Sequence, residues 1–433
     1  MERQFAIGLA GFGLVVGALA IAGTVDGGSR AETASPPEAA ANLRLAGLST
    51  AARRDVDYAR IDARLKQLAE RPTIVGLAVG IVENGRITFL NGYGETLEGS
   101  GEPVTARTVF RWASVSKGVA GSMAVKLAEQ GRLDLGAPIA SLGTTLRLPG
   151  GNEYRATLGD VLSHRLGIYR NAWDDKLEAG EDPKSIRQSI ATLASLCSPG
   201  TCWSYQNIAF DASSEAIAKA SGKSYPQAVR DMLFAPIGMT SASMSREGLQ
   251  RAASWARPHS VGRRPLEVSD SYYRVPAAGG VNSNIKDMAL WMIAQMGEMP
   301  GVLSPQVLQT IHAPLVPTPG ERRRLRKFAE RIDNPFYGYG WRSYDYAGHH
   351  IVGHRGGVSG YRSLILFDPE LKSGVVAMWN SNTSQPGGLE FEVMDMIYHL
   401  PFRDWMELDR AGAPAPEPDE TAMSGDEGRR RRG

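Results

Sequence analysis

The runs IVGLAVGIV (74–82) and RITFLNGYG (86–94) flank Asn84-Gly85, and no other feature of the chain limits its fold as much. Asn-Gly tolerates positive φ at both central positions, which the tight turn between adjacent antiparallel strands requires. A sheet therefore begins early. Strand-like runs return at 361–367 and 375–379, on either side of the turn Asp368-Pro369-Glu370, so the sheet draws on both ends of the chain. Ile61, Leu65 and Leu68 predict a helix ahead of the hairpin. Between the two strand groups the pattern is helical and loop-rich, through Leu162 and over 186–196, 207–220 and 225–234. Strands, then helices, then strands predict an α+β architecture: an antiparallel sheet built from both chain ends, flanked by helices, with a helical insert and a cleft between the two parts.

The segment ASVSKG (113–118) enters one of those helices. Val119, Met123, Val125, Leu127 and Ala128 follow at mostly helical spacings and Gly131 reads as the stop, which puts Lys117 in the first turn. Positions three apart share a face, so Ser114 can touch Lys117, whereas Ser116 points about 100° away. A serine hydroxyl is a weak nucleophile until a neighbouring base takes its proton, and Lys117 is such a neighbour for Ser114. The helix start also offers Ser114 unpaired N–H groups for a developing oxyanion. The competing reading is a capping serine with a solvated lysine.

Two later stretches supply what such a pair needs. In CSPGTCWSYQNIAF (197–210), Tyr205 and Asn207 lie two apart on a segment after Pro199-Gly200 and ahead of a helix expected near Ile208, so an extended backbone points both the same way. A tyrosine beside a lysine ammonium can serve as a general base, and an asparagine amide can hold a substrate carbonyl. In GHRGGVSGYRSLILF (353–367), His354, Arg355, Gly356 and Gly357 lead into a strand. Glycines there permit close approach to the backbone, and the Gly357 N–H is a candidate second oxyanion donor.

S-x-x-K at Ser114 to Lys117, Y-x-N at Tyr205 to Asn207 and His354-Arg-Gly356, in this order and at these separations, resemble the serine β-lactamase and penicillin-binding-protein family, closest to the class C β-lactamases and related esterases and D-peptidases. The resemblance extends from about Val56 to Trp405. It implies a β-lactamase/transpeptidase-like fold; no cofactor is expected, and no metal, since two cysteines and seven scattered histidines show no ligand spacing. Ser114 would be the acylated nucleophile, with Lys117 and Tyr205 moving protons. Asn207 would orient the substrate amide, and His354 would hydrogen-bond Tyr205 or a substrate carboxylate. Arg355, Gly356 and Gly357 complete the substrate-binding set, with Ser114 and Gly357 N–H groups forming the oxyanion hole. The substrate is a small molecule or peptide: a β-lactam, a D-amino-acid peptide that could derive from peptidoglycan, or an ester. The rival class is a non-catalytic binder of peptidoglycan fragments on the same fold.

Where many members of this family carry lysine, the chain has His354, and strand alternation predicts that Arg355 points elsewhere. Lys372-Ser373-Gly374 matches the family's usual triplet better in letters, but a strand of about ten residues spans about 33 Å, which places it at the wrong end of the hairpin. The same geometry brings Asn380 and Asn382 to the His354 end as carboxylate contacts. SHRLGI (163–168) departs from the family pattern, and His164 is read as structural. Cys197 and Cys202, the only cysteines, flank Pro199-Gly200 and are expected either to pair in an oxidising compartment or to remain free thiols.

Forty-eight basic against 46 acidic residues leave a formal charge of +2, with no broad footprint for nucleic acid. Residues 5–22 carry no charge and end in Ala20-Ile21-Ala22. This predicts a signal peptide or membrane anchor over 1–25, then a linker over 26–52, the hydrolase-like domain over 53–409, and a disordered tail over 410–433. A periplasmic or otherwise extracytoplasmic location follows, with a membrane tether if the leader is retained.

Overall fold

The computed structural model describes residues 55–409. The expected leader, linker and tail lie outside them. Among the described residues no helix is long and apolar enough to cross a membrane.

Helix α1 (Tyr58–Ala69) opens on Asp57, whose carboxylate accepts the Arg60 N–H as an N-cap. It leads into β1 (Gly76–Glu83) and β2 (Arg86–Gly94). Asn84 (φ 52°) and Gly85 (φ 72°) are both left-handed, which is the turn that the Asn-Gly dipeptide demands. Five of the remaining strands pair as successive neighbours: β4 (Ile332–Tyr337), β5 (Arg342–Tyr346), β6 (His349–Val358), β7 (Tyr361–Asp368) and β8 (Ser373–Trp379). With the short β3 (Val316–Pro317) at the far edge they complete an eight-stranded sheet, ordered β2-β1-β8-β7-β6-β5-β4-β3, antiparallel throughout. The first strand of the chain thus pairs with the last, Leu77 opposite Trp379 and Ile81 opposite Val375.

Each central strand alternates between two cores, because successive side chains leave opposite faces of a sheet. Leu77, Val79 and Ile81 of β1 join Val375, Ala377 and Trp379 of β8 in one core, together with Ile61, Leu65 and Leu68 of α1 and Phe391, Val393 and Met394 of α8 (Leu389–Ile397). Ala78, Val82, Val376 and Met378 face the other core, shared with the helical insert and with Trp112 and Trp291. The insert contains α2 (Ser116–Glu129), α3 (Leu158–Leu162), α4 (Asp174–Glu178), α5 (Ala212–Ser221), α6 (Pro276–Gly279) and α7 (Ile285–Gln295). The helix expected near Ile208 starts at Ala212 instead. Residues 207–210 form a turn, with Asp211 N–H on the Asn207 carbonyl at 3.1 Å, and the Asn207 side chain turns inward to Lys117 and Asp174.

Lys372, at φ 51°, sits in the turn before β8 with its ammonium on Glu298, and Ser373 pairs with Asp368 at that same end. The triplet therefore lies in and just after the turn at the Asp368 end of β7, whereas His354, on the other side of β7, pairs with Ile365, three residues before that end.

Candidate active site

Ser114 lies in a one-turn 3-10 helix (Ala113–Val115) that runs into α2. Ala113 adopts φ 47°, a conformation that costs a non-glycine residue on the order of 1 kcal/mol and here turns the chain sharply between Trp112 and Ser114. Ala113 and Val115 are buried while Ser114 is half-exposed, so the strained turn presents that one hydroxyl to the cleft. Strand β6 packs against this turn. A Cβ at Gly356 would collide with the Trp112 carbonyl oxygen and Ser363 Oγ, so only glycine allows the approach. Strand β5 pairs with β6 only as far as Gly353, so residues 354–358, Gly357 among them, have their β7 neighbour and no β5 neighbour.

Lys117 is fully buried, and its ammonium donates to Asn207 Oδ1 at 2.7 Å, to the Ala278 carbonyl of α6 at 3.0 Å and to Ser114 Oγ at 3.4 Å. Nζ also lies 4.7 Å from the centroid of the Tyr205 ring. Burial pushes the Lys117 pKa below its ordinary value, against the opposing pull of Tyr205 and Asp174. Asn207 Nδ2 donates to Asp174 Oδ2 at 2.6 Å, so the amide's oxygen is turned to Lys117 and its nitrogen to Asp174. Asp174 is itself buried, which raises its pKa to about 7. Ser116 behaves as a packing residue and accepts the Val281 N–H at 3.1 Å.

His354 does not bond Tyr205. Its Nδ1 faces the Arg355 carbonyl at 2.7 Å and its Nε2 faces Tyr337 Oη at 3.1 Å; Tyr337 Oη also faces His164 Nε2 at 3.2 Å, and His164 Nδ1 accepts the Gln206 N–H at 3.1 Å. The fixed partners set every proton. A carbonyl only accepts, so His354 carries its hydrogen on Nδ1 and accepts at Nε2; an amide N–H only donates, so His164 accepts at Nδ1 and donates from Nε2. Tyr337 then donates to His354 and accepts from His164. Both rings are held neutral: burial drives each pKa well below the usual histidine value, with Lys117 next for His164 and Arg342 next for His354.

The expected substrate-binding roles of His354 and Arg355 are both corrected, the second in the direction that strand alternation predicts. His354 is 4% exposed with both nitrogens engaged. Arg355 leaves the opposite face of β6, where it pairs with Glu390 of α8. Asn380 Nδ2 donates to the Thr96 carbonyl at 3.0 Å, and Asn382 Oδ1 accepts the Gly360 N–H at 2.7 Å and the Arg362 guanidinium at 3.1 Å. Cys197 and Cys202 are joined in a disulfide. The segment it precedes is laced to the loop between α3 and α4: Ser204 N–H to the His164 carbonyl at 2.9 Å, Asn171 N–H to the Tyr205 carbonyl at 2.8 Å, and Gln206 Nε2 to the Tyr169 carbonyl at 2.7 Å. Ala278, Asp174, Tyr337 and Arg342 are site neighbours that the sequence did not announce.

The Beta-lactamase family model matches residues 61–394. The chain belongs to the β-lactamase family. It is 27% identical over 361 residues to the unguisins hydrolase ungD' of Aspergillus campestris, covering 80% of this chain and 64% of that protein. It is 27% identical over 222 residues to the D-alanyl-D-alanine-carboxypeptidase/endopeptidase AmpH of Escherichia coli K12, covering 50% of this chain and 56% of the relative. It thus spans less than two thirds of the length of either relative. The fold of this β-lactamase-family chain is shared with the octameric penicillin-binding protein homologue from Pyrococcus abyssi, at TM-score 0.71 and 21% identity over 80% of this chain and 78% of the other.

Proposed function

We propose that the chain is a serine hydrolase that forms an acyl-enzyme on Ser114 and releases it to water, acting on a D-amino-acid peptide ahead of a β-lactam or a small ester. The observation that carries this reading is the set of acceptors around Lys117. Asn207 Oδ1 and the Ala278 carbonyl, at 2.7 and 3.0 Å, can only accept. When Lys117 is neutral, both of its hydrogens stay on them, and its lone pair is left facing Ser114 Oγ. Ser114 Oγ then attacks the substrate carbonyl as its proton passes to Nζ. The oxyanion forms near the first-turn N–H groups, and the proton goes on to the leaving nitrogen, with Tyr205 over the same ammonium as the second carrier. Water repeats the sequence in reverse and frees the acid. The lowered Lys117 pKa supports the base role.

The free edge of β6 at 354–358 supports a peptide, because an extended chain can add there as a strand. The name of the E. coli relative points to the same class. An extracytoplasmic location is part of the proposal, supported by the uncharged run 5–22 and the Cys197–Cys202 disulfide.

The test is covalent labelling by a fluorescent penicillin, with release of D-alanine from an acyl-D-alanyl-D-alanine peptide and cleavage of a p-nitrophenyl ester measured alongside. All signals should vanish in Ser114→Ala. Equal turnover by wild type and Ser114→Ala would sink the reading, and silence on every substrate by folded wild type would leave the fragment-binding rival.

A further inference from the structure

Arg170, in the loop between α3 and α4, is a cation that the mechanism above does not use. Its guanidinium carbon lies 5.3 Å from the centroid of the Tyr205 ring, the same ring that faces Lys117. The side chain is half-buried and, among the described residues, has no ion-pair partner. The carboxylate in its field is Glu321, already held by Arg342 at 2.7 Å and Arg324 at 3.5 Å. The groups around it therefore hold more positive than negative charge: Arg170, Arg324 and Arg342 against Glu321. A half-buried guanidinium left in such a field is stabilised by any anion that reaches it.

The loop is also built to hold this residue still. The carbonyl before it, that of Tyr169, accepts from Gln206 Nε2 at 2.7 Å, and the amide after it, that of Asn171, donates to the Tyr205 carbonyl at 2.8 Å. Arg170 and Tyr205 are thus fixed to each other through the backbone. The residue at the position where the family resemblance places carboxylate recognition, His354, is neutral, buried and fully hydrogen-bonded.

We propose that Arg170 is the specificity-determining residue that receives an anionic group of the substrate, the free carboxylate of a peptide cleaved next to its C-terminus. This rests on the hydrolase reading above. Arginine suits the task, since its fork takes both carboxylate oxygens.

The experiment compares kcat/KM for N-acetyl-D-alanyl-D-alanine with that for its C-terminal carboxamide, in wild type and in Arg170→Gln, Arg170→Lys and Arg170→Glu. Wild type should prefer the carboxylate by about tenfold or more, Arg170→Gln should lower that ratio by about tenfold through KM, Arg170→Lys should restore part of it, and Arg170→Glu should invert it. A ratio that is the same in wild type and Arg170→Gln overturns the proposal, whether both substrates suffer equally, as they would if Arg170 only assisted Tyr205, or neither does. A second measurement needs no turnover: binding of N-acetyl-D-alanine and N-acetyl-D-alaninamide to Ser114→Ala, read by quenching of tryptophan fluorescence. The carboxylate should bind more tightly, and adding Arg170→Gln should remove the difference; equal binding of the two ligands counts against the proposal. Carboxylate binding through Arg170 without hydrolysis would defeat the hydrolase reading alone, while Ser114-dependent hydrolysis with an unchanged ratio would defeat this one alone.

Discussion

Two polar groups flank Tyr205, and they differ in what a proton can do within them. On one side Lys117, Asn207 and Asp174 form a chain with a buried amine whose pKa is lowered and a buried carboxyl raised to about 7. Burial disfavours the charged form at both ends, the pattern expected of groups that exchange a proton. On the other side His164, Tyr337 and His354 form a chain of similar length in which each donor meets one acceptor and each titration is driven away from neutral pH. One chain is suited to carry protons; the other is suited to hold β6 and the loop after α3 in register.

The largest separation between them should come from Lys117. Lys117→Ala removes the proposed base for Ser114 and should lower the rate of acylation by a fluorescent penicillin by about 10³-fold or more. Retention of the wild-type rate would move the base elsewhere.

His354→Lys should damage stability instead. Lysine cannot accept from Tyr337, and its ammonium would be buried beside Arg342, whose charge already depresses His354. An uncompensated buried charge costs about 3–5 kcal/mol, unless the lysine gives up its proton. Urea unfolding at neutral pH measures this, and an undiminished midpoint would show that the pocket tolerates a cation.

Asp174→Asn sharpens the comparison through pH. The folded-state pKa of Asp174 is raised from 3.8 to about 7, so between those values the folded protein binds the proton that the unfolded chain has released. Stability from this group is thus full below pH 4 and lost as pH rises through 7. From pH 5 to pH 8 wild type should lose roughly 2–3 kcal/mol that Asp174→Asn does not lose. Asp211, likewise raised to about 7 by burial, behaves the same in both proteins and drops out. The partners facing Asp174 are Asn207, Lys117, Glu178 and Tyr272, and parallel pH curves for the two proteins would show that they hold its pKa at an ordinary value.

How much of this was legible in the sequence follows from how local each signal is. Asn84-Gly85, the alternating runs at both chain ends and the i, i+3 spacing of Ser114 and Lys117 are short-range patterns with one geometric solution each, and the sheet and helix α2 follow from them. The alternation of β6 likewise separates Arg355 from His354. What stayed hidden is long-range. Ala278 lends Lys117 only a backbone carbonyl, which any residue type would supply. Asp174 meets Asn207 across 33 positions, and Tyr337 meets His164 across 173. The short strand at 332–337, broken by Asn334 at φ 47° and a register shift, carries no period-2 pattern to betray where Tyr337 points. His354 shows the same limit: histidine is already largely uncharged at neutral pH, but only the fold shows that two buried partners occupy both of its nitrogens.

The smallest effect tests the locked chain directly. Tyr337→Phe keeps the ring but leaves His354 Nε2 without its donor and the His164 Nε2–H without its acceptor, two buried groups that lose one partner each. Unmet buried donors and acceptors cost about 1–3 kcal/mol, and the shift should appear in thermal unfolding. Acylation by penicillin should persist, because no proton in the proposed cycle passes through this hydroxyl. Tyr205→Phe, a change of the same single atom 6.4 Å away by ring centroids, should do the reverse, sparing stability and slowing acylation. If Tyr337→Phe instead slows acylation as much as Tyr205→Phe does, the two chains are one proton network, and the neutral histidines belong to the catalytic path.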